Sequence, residues 1–163
     1  MELGGSEYFS LISEKQRNNS IGNNVPKVNP RKNKKLYTDF YKSIKKQLIS
    51  SSISINRGGL GIALAKMAIG GELGLDIRLN NLPGLVRRND FALFSESQGR
   101  IVVTVLPKNK NIFEKLMRGN SFALIGKVIK EPKMIIRGLK GGEIINTGLK
   151  KIQDSYTSTF KGY

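Results

Sequence analysis

The sequence predicts an α+β fold, a mixed sheet flanked by helices with partial ferredoxin-like topology, and three observations carry that prediction. Short β-branched runs alternate with helical stretches along the whole chain instead of gathering at one end. The C-terminal half reads β-α-β-β-β, an order with partial ferredoxin-like character. Finally, 163 residues of which 39% are hydrophobic are enough for one sizeable core and too few for two.

From the N-terminus, the glycine pair Gly4-Gly5 is followed by a hydroxyl and a carboxylate, Ser6 and Glu7, and Phe9, Leu11 and Ile12 can anchor a short helical turn behind it. Residues 16–24 are polar and rich in Asn and Ser, a loop or linker. Asn29-Pro30 is a helix start, Asn as the cap and Pro at the first helical position. Leu36, Phe40, Ile44 and Leu48, joined by Tyr37 and Tyr41, then mark an amphipathic helix whose lysines spread over its other faces.

Ile53 and Ile55 end a short strand that runs into Gly58-Gly59, and residues 60–69 form a small-residue helix apolar almost all round, hence buried. Leu75, Ile77 and Leu79 alternate with Asp76 and Arg78, as in a strand with one face covered. Pro83-Gly84 makes a turn and residues 89–93 a short helix. Residues 101–106 are continuously apolar, which reads as a central strand covered on both faces, ended by Pro107. A helix over 111–118, closed by Gly119, and strands over 122–129, 133–137 and 143–146 follow. The organisation expected is an N-terminal segment and linker over 1–28, a domain over 29–153 and a flexible tail over 154–163.

Composition narrows the chemistry. Without cysteine or histidine the chain has no disulfides, thiolate metal sites or imidazole base, which makes a self-contained catalytic centre a poor fit. A formal charge of +16 suits anionic partners such as nucleic acid, membrane surfaces or phosphorylated ligands, and suits equally the charged surface of an enzyme from a hot environment. The aromatics are scattered, unlike a stacking platform for single strands, so nucleic acid is the lesser reading. No stretch is long enough in apolar residues to span a bilayer, and the N-terminal residues show neither a basic n-region nor an apolar h-region; the expectation is a cytoplasmic protein with no membrane partner.

The strand, glycine pair and helix over 53–71 are arranged as in loops that turn backbone N–H groups toward a phosphate or carboxylate, although a glycine pair before a helix is also simply a tight turn. Ser6 and Glu7 after Gly4-Gly5 could line a phosphate or metal, or cap a helix. Glu96, between Ser95 and Ser97, could orient a ligand or tie its loop by hydrogen bonds, and Arg100 reads as a surface or inter-lobe ion-pair residue.

Three blocks taken together carry a resemblance: Leu3-Gly4-Gly5-Ser6-Glu7-Tyr8; Arg57-Gly58-Gly59-Leu60 followed by Ala63-Leu64-Ala65-Lys66-Met67-Ala68; and Leu93-Phe94-Ser95-Glu96-Ser97-Gln98-Gly99-Arg100. Over residues 2–128 the chain resembles the C-terminal end of the large subunit of phosphoribosylformylglycinamidine synthase. The third block, running into a strand, is the most specific. Aminoimidazole ribonucleotide (AIR) synthetase, selenophosphate synthetase and thiamine-monophosphate kinase share the fold but fit these blocks less well.

The resemblance implies an AIR-synthase-like C-terminal domain of an ATP-dependent amidoligase. That enzyme phosphorylates an amide oxygen of formylglycinamide ribonucleotide and displaces the phosphate with glutamine-derived ammonia. ATP and Mg2+ would serve the whole enzyme, with neither held tightly by this chain alone and no catalytic residue within it. The partners implied are the N-terminal lobes of the large subunit and the glutaminase and small subunits, and a homodimer is compatible as well. Ligand contacts would fall at Gly4, Gly5, Ser6, Glu7, Asn56, Arg57, Gly58, Gly59 and Glu96. Ahead of its Gly-Gly-Leu the family usually carries His-Asp-Val-Ser-Asp, where this chain has Ile53, Ser54, Ile55, Asn56 and Arg57. That change speaks against a metal at the loop and leaves Arg57, a planar multi-donor cation, to meet a phosphate directly. Competing readings are a basic nucleic-acid-binding module and a non-catalytic scaffold on the same fold.

Overall fold

The computed structural model describes residues 2–17 and 20–158. The chain opens with α1 (Glu7–Lys15), capped by Ser6, whose Oγ accepts from the Phe9 N–H at 3.1 Å. α2 (Pro30–Lys45) starts as its sequence dictates: the Asn29 side chain accepts from the Lys32 N–H at 3.0 Å, and Pro30 occupies the first helical position. Then follow β1 (Ser51–Ser54), α3 (Gly59–Gly71), β2 (Gly74–Arg78), α4 (Asn89–Phe94), β3 (Ile101–Thr104), α5 (Lys110–Leu116), β4 (Gly126–Ile129), β5 (Lys133–Arg137), β6 (Glu143–Gly148) and α6 (Leu149–Thr157).

Four strands form a mixed sheet in the order β4-β2-β5-β6, in which β2 and β5 run parallel at the centre and the outer pairs are antiparallel. Leu75, Ile77, Met134 and Ile136 on its inner face pack with Leu60, Leu64 and Ala68 of α3 and Leu149 of α6. Because α3 is apolar nearly all round, it lies between the sheet and α4, with Ala92 and Leu93 closing the core on its other side. The mixed, helix-flanked α+β arrangement is therefore present.

The second sheet is a two-stranded antiparallel ribbon of β1 and β3, with Ile53 opposite Val102 and Ser51 opposite Thr104. This corrects the reading of residues 101–106 as a central strand, since β3 has one neighbour and all four of its residues are half-buried. The apolar run has another cause. Val102 packs on the main core while Val103 and Val105 pack on a second cluster built from Leu48, Phe113 and Met117. Both faces of β3 are thus used, one per cluster, and among the described residues β1 is the strand paired with it.

Other boundaries shift as well. The strand expected over 122–129 begins at Gly126, and before it only the Ile125 carbonyl joins the sheet, accepting from the Arg78 N–H at 2.7 Å. Tyr37 and Tyr41 do not share the packed face of α2, being 48% and 60% exposed. α6 carries regular structure through residues 149–157, past the point where a tail was expected, and residues 159–163 of that expected tail lie outside the described residues. Its signal was short: Leu149, Ile152 and Tyr156 alone mark a face. Among the described residues no helix is long and apolar enough to cross a membrane.

Candidate functional site

Three chain segments far apart in sequence meet at one carboxylate. Glu96 Oε1 accepts from the Gly58 N–H at 2.8 Å and from the Glu7 N–H at 2.9 Å, so the same oxygen sits at the start of α3 and of α1. A negative group is favourable at both helix starts, where N–H groups lack intrahelical partners. Gly58 can turn into α3 because it adopts φ +85°, and it has no side chain that could cap the helix. Gly59 is required for closeness: at φ +70°, a Cβ there would lie 2.5 Å from the Leu93 carbonyl oxygen and 2.7 Å from the Phe94 Cα. The third block of the sequence is thereby pressed onto the glycine loop.

Arg57 projects from the loop on the same side. Its Nε donates to Glu7 Oε1 at 2.6 Å, and its terminal nitrogen lies at the same distance, in a pair that is 80% and 53% exposed. The hydrogen bond to Glu7, with Coulombic help from Glu7 and Glu96, holds the guanidinium above its ordinary pKa. A pair so exposed is screened by solvent and adds little to stability. Tyr8, next along α1, stacks on Phe94 with ring centroids 4.5 Å apart, fastening α1 to α4.

Arg100 has a different place from the surface or inter-lobe ion pair expected of it. Its guanidinium turns back on its own loop, donating to the Ser95 carbonyl, to Ser95 Oγ at 3.2 Å and to the Ser97 carbonyl at 3.2 Å. Burial pushes its pKa down, and among the described residues no carboxylate pairs with it. The sequence signal was Gly99, whose φ of +75° reverses the chain between the serines and Arg100. Arg100 therefore shapes the loop that aims Glu96.

The predicted residues fall into two groups. Glu7, Arg57, Gly58, Gly59 and Glu96 come together, while Asn56 supplies the carbonyl that accepts from the Gly59 N–H at 2.9 Å and leaves its side chain exposed. Gly4 and Gly5 spend their N–H groups on the carbonyls of Asn24 at 3.1 Å and Ile21 at 2.7 Å, and Ser6 is turned inward, donating to the Leu3 carbonyl at 2.6 Å. Those three residues thus build the turn that starts α1.

Nothing in this arrangement fits a magnesium ion. Glu7 and Glu96 are the two carboxylates present, both already hydrogen-bonded, and among the described residues no three His, Cys, Asp or Glu side chains gather as a ligand set. Arg57 is the exposed multi-donor cation of the group, with its Nε and one terminal nitrogen turned to Glu7, while Glu96 already takes the Gly58 N–H.

Strand order, the buried α3 and the glycine loop pressed on α4 define a domain class, and the chain belongs to the family described as AIR synthase related protein, C-terminal domain, which it matches over residues 1–138. Among curated relatives it is 34% identical over 159 residues to phosphoribosylformylglycinamidine synthase subunit PurL of Methanocaldococcus jannaschii, and 32% identical over 159 residues to that of Methanococcus aeolicus. In both cases the match covers 98% of this chain and 20% of the relative, so the chain spans about a fifth of their length. Among solved structures the fold is similar to Thermotoga maritima PurL complexed with FGAR, with a TM-score of 0.69 at 20% identity over 77% of this chain and 21% of that one. A HypE–HypF complex is also similar, with a TM-score of 0.58 at 19% identity over 90% of this chain and 49% of that one.

Proposed function

We propose that this chain acts as the C-terminal lobe of an ATP-dependent phosphoribosylformylglycinamidine synthase, shaping a ligand-facing loop and leaving bond-making to other lobes. The observation that supports this most is the Glu96 junction. It ties the three sequence blocks of the resemblance into one unit with Arg57 at its surface, in a chain matched end to end by PurL subunits. The enzyme's reaction passes the γ-phosphoryl of ATP to the amide oxygen of formylglycinamide ribonucleotide, giving ADP. Ammonia then adds at the amide carbon that bears this oxygen, gives up a proton, and the C–O bond breaks as phosphate leaves, giving the amidine. ATP complexes of Thermotoga maritima PurL are solved, and its fold matches this one with a TM-score of 0.66 over 73% of this chain.

In that scheme Gly58 and Gly59 set the backbone path, and Glu96 and Arg100 keep the loop rigid. Arg57 offers charge to an anionic substrate group, while magnesium is held outside this chain. The partners are the N-lobes of the large subunit together with the glutaminase and small subunits; a PurLQS assembly from Thermotoga maritima is a fold neighbour, with a TM-score of 0.69. The cytoplasm is the compartment that suits such an enzyme. No feature of the site favours nucleic acid over this reading.

The test is reconstitution. The chain alone, given formylglycinamide ribonucleotide, ATP and ammonia, should form no amidine; combined with the polypeptide carrying the other lobes it should bind and restore turnover. Arg57→Ala in the assembled enzyme should raise KM about tenfold or more, the loss of one charge-assisted contact. Turnover by the isolated chain, or failure of the chain to associate, would overturn the proposal.

A further inference from the structure

α2 carries two apolar stripes, and one of them is uncovered. Leu36, Phe40 and Ser43 face inward, Ser43 completely buried. Roughly 100° round the helix, Tyr37, Tyr41 and Ile44 follow one another at helical spacing and are 48%, 60% and 46% exposed. With Val28 and Pro30, the two tyrosines line a shallow groove of about 660 Å3. Side chains of this kind exposed in one contiguous strip mark an interaction surface more often than scattered ones do.

Charge around the strip identifies what fits it. Lys34 borders the groove and Lys45 lies beside it on the wheel, while the one carboxylate of α2, Asp39, sits on the other side of the helix. There Asp39 accepts from Lys35 at 2.6 Å, from Lys42 at 3.3 Å and from Asn120 at 2.9 Å. The strip is therefore positive along its Lys34 and Lys45 side, and no carboxylate of α2 borders it. A second copy of the chain would set lysine against lysine. Nucleic acid would satisfy the rim and leave Val28, Pro30 and Ile44 without an apolar partner. Tyrosine is among the residues enriched at protein interfaces, where its body packs and its hydroxyl stays wet.

We propose that this face of α2 is a protein-docking surface, and that its occupant is an apolar, acid-rimmed patch on the other lobes of the synthase large subunit. The inference rests on the function proposed above: the chain corresponds to 20% of the Methanocaldococcus relative, so most of the subunit's surface is supplied from outside it.

The experiment measures the Kd between the full chain and the large-subunit polypeptide of the same organism that carries the remaining lobes. Wild type is compared with Tyr37→Ser/Tyr41→Ser, with Lys34→Glu/Lys45→Glu, and with Lys140→Glu in the turn after β5 as a control. Each variant is checked for a native circular dichroism spectrum. The tyrosine pair should weaken binding about tenfold or more, as for truncated aromatic anchors. The lysine pair should weaken it and flatten its salt dependence. The control should stay within about twofold. Wild-type affinity in both double variants would overturn this inference and leave the proposed function standing; no binding by wild type would sink the proposed function first. Binding of DNA or RNA, or self-association, lost in the variants while lobe binding persists, would also overturn it. The lysine pair is exposed and decides the matter should the tyrosine variant fold poorly.

Discussion

Replacing Glu96 by alanine tests whether one carboxylate holds the site together. The variant leaves the Gly58 and Glu7 N–H groups without the acceptor now at 2.8 and 2.9 Å. Hydrogen bonds to a charged acceptor contribute about 1.5–3 kcal/mol each, and the lower end applies here because Glu7 is exposed and water can replace its partner. The expected loss is about 2–4 kcal/mol, or roughly 5–15 °C in Tm for a chain of this size. Glu96→Gln keeps one acceptor oxygen without the charge and should lose about half as much. Thermal unfolding gives the magnitude, and amide hydrogen exchange gives the location: loss of protection at Glu7 and Gly58, at the starts of α1 and α3, in addition to the uniform loss that global destabilisation imposes on the β2–β5 amides. An alanine variant melting within about 1 °C of wild type, or exchanging faster in the sheet alone, would refute the assignment.

Two further outcomes follow from the same geometry. Gly59→Ala should destabilise by about 1–3 kcal/mol from its left-handed backbone alone, with the contact on the Leu93 carbonyl adding to that; a denaturant midpoint at or above wild type would count against it. Asp39 is held down from 3.8 to about 2, first by its hydrogen bond from Lys35, then by Asn120. Because the folded pKa is the lower one, its contribution to stability is full above about 3.8 and is lost as pH falls through about 2. Acid unfolding of wild type and Asp39→Asn should therefore converge below pH 2 and diverge above pH 4, and curves that stay parallel throughout would contradict it.

Local patterns made much of this fold legible. Asn29-Pro30 marks the start of α2 to the residue, residues 133–137 coincide with β5, and the small-residue run after Gly58 is the buried α3. Caps, alternation and all-round apolarity depend on neighbours in sequence, so they can be read without the fold. β3 was misplaced because a continuous apolar run reports that both faces are covered and not by what. Two separate clusters covering a two-stranded ribbon leave the same pattern as a central strand.

The candidate site divides in the same way. Gly58, Gly59, Glu96 and Arg57 stand out in the sequence as residue types suited to a turn and an anion, and the resemblance assembles them into one family. That Glu96 meets Gly58 and Glu7 across separations of 38 and 89 residues is a property of chain packing. So is the turn of Arg100 back onto Ser95 and Ser97, which converts an apparent surface cation into a half-buried brace. The exposure of Tyr37 and Tyr41 depends on which side of α2 meets α5, and that choice is made by Phe113 and Met117, more than seventy residues away. By itself the sequence determined the fold class, the family, the helix starts and the residue types at the loop, because those follow from short-range periodicity, capping and motif order. Tertiary structure alone decided which donor meets which acceptor and which apolar stripe stays uncovered, because long-range packing brings together groups whose spacing in the chain carries no signal of their meeting.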